Sequence, residues 1–296
     1  MKDIMRVIVT GAAGFLGYNL TKALSDRGDT VFALVRPGSM HNELLKGMPN
    51  VEMIEVDLMG DFLLPDKVKD ADVAFHLAWA GERNDFESQK KNVDATITLI
   101  KELKRLNCKR IITTGSQAEY GATTEVIKED RMPNPFCAYG AAKVATLYLS
   151  KKLAFDLDID WIWARIFSLY GVQEPENRMF PALLKALKDG EEFALSSCNQ
   201  NWDYLDARDA ANALIALAER GKSGEIYNVA AGDYRPLKEY VKIMEDITGT
   251  HGKITYGDDP SPYVSLSPDI SKLKADTGWK PCITFEQGVR DSLSNL

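Results

Sequence analysis

The chain has 296 residues, 45% of them hydrophobic and 27% charged, a composition that excludes disordered, collagen-like and fibrous classes and fits one large domain or two smaller ones. Its 36 Lys and Arg against 43 Asp and Glu give a net charge of -7 with no basic block, which excludes nucleic acid as a partner held by counterion release. No run approaches the roughly 18 apolar residues of a membrane span, and the opening Met1-Lys2-Asp3-Ile4-Met5-Arg6 lacks a secretory layout, so a cytoplasmic protein with no membrane partner is expected.

Over the first 165 residues short β-branched runs alternate with longer helical patterns, the signature of βαβ units and a parallel sheet covered on both faces. Six strands are expected, at 6–10, 30–35, 51–56, 73–77, 110–114 and 159–164, each a near-continuous apolar run. Amphipathic helices are expected at 88–106, where Val93, Ile97, Ile100 and Leu103 share a face, and at 138–157, with Val144, Leu147 and Leu153. Beyond Arg165, prolines at 175, 181, 236, 260, 262, 268 and 281 break the alternation into shorter elements. The fold class is therefore α/β: a Rossmann-like doubly wound parallel sheet over 1–165, to which later segments return, and a smaller substrate-binding lobe over 166–296. Four widely spaced cysteines, Cys108, Cys137, Cys198 and Cys282, and only three histidines indicate reduced, mostly buried thiols and no metal site.

Thr10-Gly11-Ala12-Ala13-Gly14-Phe15-Leu16-Gly17 joins the first strand to a helix, the context in which glycines let backbone N–H groups and a helix N-terminus approach a pyrophosphate. At the end of the second strand, where NAD sites place an acid on the ribose 2′-hydroxyl, stands Arg36. Its guanidinium can pair with a 2′-phosphate, which favours NADP(H) over NAD(H); the plainer reading is a solvated turn residue before Pro37. Asp57, followed by Leu58, can accept from an adenine amino group or simply close a turn. Tyr139 and Lys143 lie at i and i+4 on one helix face, where an ammonium favours the phenolate and is expected to lower the tyrosine pKa from about 10. Ser116, just past the fifth strand, adds a hydroxyl at the mouth of the sheet.

Together the glycine trio, His76-Leu77-Ala78, Asn92-Val93, Ser116 with Tyr120-Gly121, the Tyr139/Lys143 pair and Arg165 with Tyr170-Gly171 resemble the extended short-chain dehydrogenase/reductase family. The likeness continues through Asp203-Tyr204-Leu205-Asp206-Ala207-Arg208-Asp209-Ala210, Tyr227-Asn228-Val229 and Gly278-Trp279-Lys280-Pro281, as in its NAD(P)-dependent nucleotide-sugar epimerases, dehydratases and ketoreductases. The resemblance implies that Ser116 holds the reacting oxygen, Tyr139 exchanges the proton, and Lys143 binds the nicotinamide ribose while tuning Tyr139. It also implies that Leu77, Ala78, Asn92, Thr114 and Phe167 line the cofactor, with His76 structural. On the substrate side it implies Gln117, Ser168, Asn177, Met179, Phe180 and Trp202. A homodimer follows from the same likeness, with helices 88–106 and 138–157 pairing across a two-fold axis into a four-helix bundle.

Four departures narrow the activity. The two positions after Ser116, where 4,6-dehydratases carry an acid, are Gln117 and Ala118, with Glu119 one residue out of register, so elimination is not expected. The diphosphate-clamping arginine expected before Asp203 is Trp202, which ordinary packing also explains, and a second is absent from Ser261-Pro262-Tyr263-Val264. Ser168 replaces a common Asn. The expected activity is an NADP-dependent ketoreductase acting on a nucleotide-activated, 4-keto-6-deoxy sugar. A nucleotide-sugar 4-epimerase that retains NAD uses the same Ser/Tyr/Lys set, and a non-catalytic NADP sensor is the reading from another class.

Overall fold

The computed structural model describes residues 4–258 and 265–296. The opening tripeptide and the Ser261–Val264 stretch lie outside the described residues. The first half runs β1 (Arg6–Thr10), α1 (Phe15–Arg27), β2 (Thr30–Val35), β3 (Val51–Glu55), β4 (Val73–His76), α2 (Phe86–Arg105), β5 (Arg110–Ser116), α3 (Ala138–Asp156) and β6 (Asp160–Ile166). There follow β7 (Ser168–Tyr170), α4 (Met179–Asp189), β8 (Phe193–Leu195), β9 (Asn201–Trp202), β10 (Tyr204–Asp206), α5 (Ala207–Arg220) and β11 (Ile226–Val229). The chain closes with β12 (Arg235–Pro236), α6 (Leu237–Thr248), β13 (Ile254–Tyr256), α7 (Ser271–Thr277) and α8 (Phe285–Ser294).

A seven-stranded sheet in the order β11-β6-β5-β4-β1-β2-β3, parallel throughout, forms the centre of the molecule. The alternation of side chains along β1 explains its sequence. Val7 and Val9 pack on one face with Leu20 and Leu24 of α1 and the alanines of α5, while Ile8 packs on the other with Leu99, Ile100 and Leu103 of α2 and Leu147 of α3. Both faces are dry, so every position must be apolar, and each such side chain contributes roughly 1.5–3 kcal/mol by leaving water. All six expected strands are present, with β5 and β6 each running two residues further, to Ser116 and Ile166. The seventh, β11, was not among them: four residues, one of them the polar Asn228, carry too little pattern to stand out.

Helix boundaries follow local chemistry. Asp85 caps α2 by accepting from the Ser88 amide at 3.4 Å, so that helix begins two residues earlier than its apolar stripe. The sulfur of Cys137 takes the corresponding role for α3, accepting from the Gly140 amide at 3.4 Å.

Beyond the sheet, β7–β10 and β8–β13 pair in parallel and β9–β12 antiparallel, each a two-stranded sheet. These pieces and α4, α6 and α8 are held by an aromatic cluster of Tyr170, Phe180, Tyr204, Tyr240 and Phe285, with Phe285 ring centroids 4.7 Å from Tyr240 and 4.9 Å from Tyr170. Cys108, Cys137 and Cys198 are buried free thiols and Cys282 an exposed one. No helix among the described residues is long and apolar enough to cross a membrane.

Candidate active site

The strand order reverses between β1 and β4, and the carboxyl ends of the strands flanking that switch open two adjoining cavities, the place where open α/β sheets bind ligands. The first, about 270 Å³, is lined by Gly11–Gly14, Val35, Arg36, Asp57, Leu58, Leu77, Ala78 and Asn92. The second, about 760 Å³, is lined by Gly14–Gly17, Thr114–Gln117, Tyr139, Lys143, Phe167 and Ser168, and beyond them by Met179, Phe180 and Trp202. Gly11, Gly14, Leu77 and Trp79 border both.

The glycine turn is built for close approach. Gly11 has φ 66°, the left-handed region, and a Cβ there would sit 2.8 Å from the Ala78 amide nitrogen; a Cβ on Gly17 would collide with the Gly11 carbonyl. The N-terminus of α1 has no side-chain cap and no acid in its first turn, which leaves amides and a positive dipole end for an anion. A dinucleotide fits this cradle, with Arg36 and Asp57 at one end and Lys143 at the other.

His76 stays structural, as expected. The Thr10 hydroxyl accepts from the Leu77 and Ala78 amides at 3.2 and 3.1 Å, so its own hydrogen points to His76 Nδ1 at 2.8 Å. His76 Nε2 must then carry the proton and donate to Thr96 Oγ1 at 2.9 Å, which donates to the Asn92 carbonyl. Burial, reinforced by the nearby charge of Lys143, pushes the imidazole down to about 3, and it remains neutral. The Asn92 side chain lines the first cavity while pinning the Ala80 backbone from both sides, accepting from its amide at 2.9 Å and donating to its carbonyl at 2.8 Å.

Ser116, Tyr139 and Lys143 meet at the inner end of the second cavity. The Tyr139 phenol stands beside Ser116, whose Oγ accepts from the Ala118 amide at 3.2 Å. Lys143 is buried and donates to the Thr114 carbonyl at 2.8 Å. The expected lowering of the tyrosine pKa by Lys143 is not what this geometry produces. Burial raises Tyr139 above its ordinary value, and the groups that pull it back are Ser116 and Arg83, while Lys143 is itself pushed down to about 7 by desolvation. The ammonium sits 3.6 Å from the centre of the Trp79 ring and 5.8 Å from that of Tyr139, so its charge is spent on the indole and a backbone carbonyl.

Several residues here escaped the sequence reading. Trp79 stands edge-on to Tyr139 with centroids 6.0 Å apart and donates from its indole to Gln89 Oε1 at 2.8 Å; its position directly after His76-Leu77-Ala78 was the available signal. Arg83 lies over the Tyr139 ring at 5.8 Å. Glu174, Arg178 and Tyr204 complete the outer wall; no motif marks the first two, and Tyr204 lay in the Asp203–Ala210 stretch without a site role. In contrast, Asn177 sits exposed in the turn before α4 and does not line the cavity, because the chain presents Arg178 and Met179 inward instead.

Glu119 turns away from the reacting end. It is fully buried, accepts from the Ser116 amide at 2.7 Å and Trp163 Nε1 at 3.0 Å, and pairs with the guanidinium of Arg165 at 2.7 Å. Arg165 in turn covers the Tyr120 ring, and the Tyr120 hydroxyl donates to Asn228 Oδ1 at 2.6 Å, which ties β5, β6 and β11 together beneath the site. Such a saturated carboxylate is scaffold.

With that geometry in place, comparison with known proteins gives the class. A family model described as "NAD dependent epimerase/dehydratase family" matches residues 7–230, and the chain belongs to that enzyme family, within the extended short-chain dehydrogenase/reductases. Among relatives, the GDP-6-deoxy-D-mannose reductase of Pseudomonas aeruginosa is 26% identical over 98% of this chain and 96% of its own. Among solved structures, a UDP-N-acetylglucosamine 4-epimerase from Methanobrevibacter ruminantium M1 superposes with TM-score 0.87 at 26% identity, covering 99% of this chain and 98% of that one. MoeE5, solved with UDP-glucuronic acid and NAD, gives TM-score 0.85 at 26% identity over 98% of both chains.

Proposed function

We propose that the protein is an NADP-dependent ketoreductase acting on a keto group of a nucleotide-activated sugar, with the 4-keto-6-deoxy sugars as the first substrates to test. The observation that carries this reading is the convergence of Ser116, Tyr139 and Lys143 on a cavity continuous with the glycine cradle, with no carboxylate from the segment after Ser116 facing it. The nicotinamide, when bound, supplies the hydride. Ser116 donates a hydrogen bond to the substrate carbonyl oxygen, and the Tyr139 phenol gives its proton to that oxygen as the carbon is reduced. A phenol held protonated by burial is suited to donate. Lys143 orients the cofactor ribose from its place on the Thr114 carbonyl.

Arg36 on the wall of the first cavity supports NADP over NAD, and Arg178 on the outer wall supplies a guanidinium for a diphosphate where Trp202 cannot. The substrate lobe is read as 166–296, apart from the elements that return to the sheet. A homodimer is part of the same reading: α2 and α3 pack side by side, and α3 leaves Tyr148, Leu149 and Phe155 exposed. The second reading, a 4-epimerase retaining its cofactor, is favoured by the likeness to the Methanobrevibacter enzyme.

Tyr139→Phe tests the assignment, since it deletes the proton donor and keeps the ring. With NADPH and a 4-keto-6-deoxy nucleotide sugar, kcat should fall by roughly 10²- to 10⁴-fold while cofactor affinity is retained. A variant that still turns over near the wild-type rate would remove Tyr139 from the mechanism. Product carrying only a configurational change, with no net consumption of NADPH by the wild type, would replace the reductase by the epimerase.

A further inference from the structure

Outside the Ser116/Tyr139/Lys143 group, the wall of the second cavity carries one carboxylate among the described residues, Glu174, in the loop between β7 and α4. The side chain is partly exposed to the cavity, while its Oε2 is sealed off and has no hydrogen-bond partner among the described residues. The groups that face it are Arg178 at the start of α4, the phenol of Tyr204 on β10 and the Gly171 backbone. A carboxylate so placed presents its charge and its acceptor capacity to whatever the cavity takes.

We infer that Glu174 is a specificity-determining residue, which accepts a hydrogen bond from a hydroxyl or amine of the sugar and rejects sugars that carry a carboxylate. The inference rests on the nucleotide-sugar reading above. Sugar hydroxyls and amines are donors that a carboxylate on the wall can accept from, whereas a uronate carboxylate offers no hydrogen and adds a like charge in a site of reduced dielectric. This sets the chain apart from MoeE5, whose structure holds UDP-glucuronic acid. Burial pushes the Glu174 carboxyl up to about 7 against the pull of Arg178, so the rejection should itself titrate. Above that pH the ionised group repels a uronate; below it the neutral acid can donate to one.

The test is calorimetric titration of the NADP⁺-loaded protein with matched pairs, UDP-glucose against UDP-glucuronate and GDP-mannose against GDP-mannuronate, at pH 6 and pH 8. At pH 8 the neutral sugar should bind at least about tenfold more tightly than its uronate, the ratio should shrink at pH 6, and Glu174→Gln should abolish the pH dependence and most of the ratio. Lys143 on the same cavity is also pushed to about 7, so the Glu174 variant assigns the pH effect, and Glu174→Ala takes its place where Glu174→Gln is unstable. Equal binding of neutral sugar and uronate at pH 8, or a ratio that neither pH nor Glu174→Gln alters, overturns the role of Glu174 and leaves the nucleotide-sugar reading in place. No binding of either pair overturns both.

Discussion

The sheet and the outer lobe are stabilised in opposite ways. In the sheet, order is periodic: β1, β2 and β4 are apolar at every interior position, and each strand finds its neighbours through a repeated parallel ladder. In the lobe no strand exceeds three residues, and what holds β7, β10, α4, α6 and α8 together is a knot of rings drawn from positions as distant as Tyr170 and Phe285. The first kind of order makes a rigid floor for a cofactor that many enzymes share. The second makes a wall whose shape depends on a few large side chains, which suits a substrate that differs between enzymes.

Breaking the knot should therefore separate the two functions. Phe285 touches Tyr170, Tyr204 and Tyr240 and is 7% exposed, so Phe285→Ala leaves a void that those rings cannot close, at a cost of about 3–5 kcal/mol. Denaturant unfolding should show that loss. Below the transition, NADPH affinity should stay within a few-fold of wild type while nucleotide-sugar binding weakens by more than tenfold. Equal loss of both ligands would show that the lobe and the floor behave as one unit.

What was legible in the sequence follows the same division. Runs at 6–10 and 30–35 gave β1 and β2 to the residue, because a strand dry on both faces has one signature. Gly11, Gly14 and Gly17 were readable because a left-handed turn and a helix packed on it tolerate nothing larger. The short β11 and the aromatic knot were not readable, since β11 carries little pattern of its own and the knot's rings meet only through the fold, from separate elements between Tyr170 and Phe285. Nor were Glu174 and Arg83, which matter by facing a cavity. The direction of the Tyr139 shift was misjudged for a related reason: i, i+4 spacing gives proximity along a helix, but the depth of burial and the indole of Trp79 that claims the ammonium come from elsewhere in the fold.

Lys143 sharpens the comparison on the floor side, where the sheet tolerates a buried charge for the sake of the site. Its folded pKa of about 7 lies below the 10.5 of the unfolded chain, so between those values the unfolded state binds more protons. Stability should then rise with pH across that window, the cost of the buried ammonium being fully present below 7 and relieved toward 10.5. Lys143→Met removes this titration. The variant should be more stable than wild type at pH 7 by on the order of a few kcal/mol, and the gap should narrow steeply by pH 9.5, before the tyrosines ionise. Urea unfolding of both proteins at pH 7, 8.5 and 9.5 measures it. A constant gap would mean that Lys143 keeps its ordinary pKa in the fold.

The smallest effect concerns the rim of the floor, where the sheet pattern ends and chemistry alone sets preference. Arg36 is exposed on the wall of the first cavity, one residue past the end of β2. A guanidinium on a 2′-phosphate makes charge-assisted hydrogen bonds worth about 1.5–3 kcal/mol when shielded, and less where solvent and salt screen them. Arg36→Ala should therefore weaken NADPH by about tenfold and leave NADH unchanged, since NADH offers a ribose hydroxyl that a guanidinium is poorly suited to accept from or discriminate. Fluorescence titration with both cofactors at low and high salt separates the contributions: the wild-type advantage for NADPH should shrink as salt rises, and the variant should show little salt dependence at all. If wild type binds NADH as tightly as NADPH, Arg36 is a solvated turn residue before Pro37, and the cofactor argument then favours the NAD-retaining epimerase over the reductase.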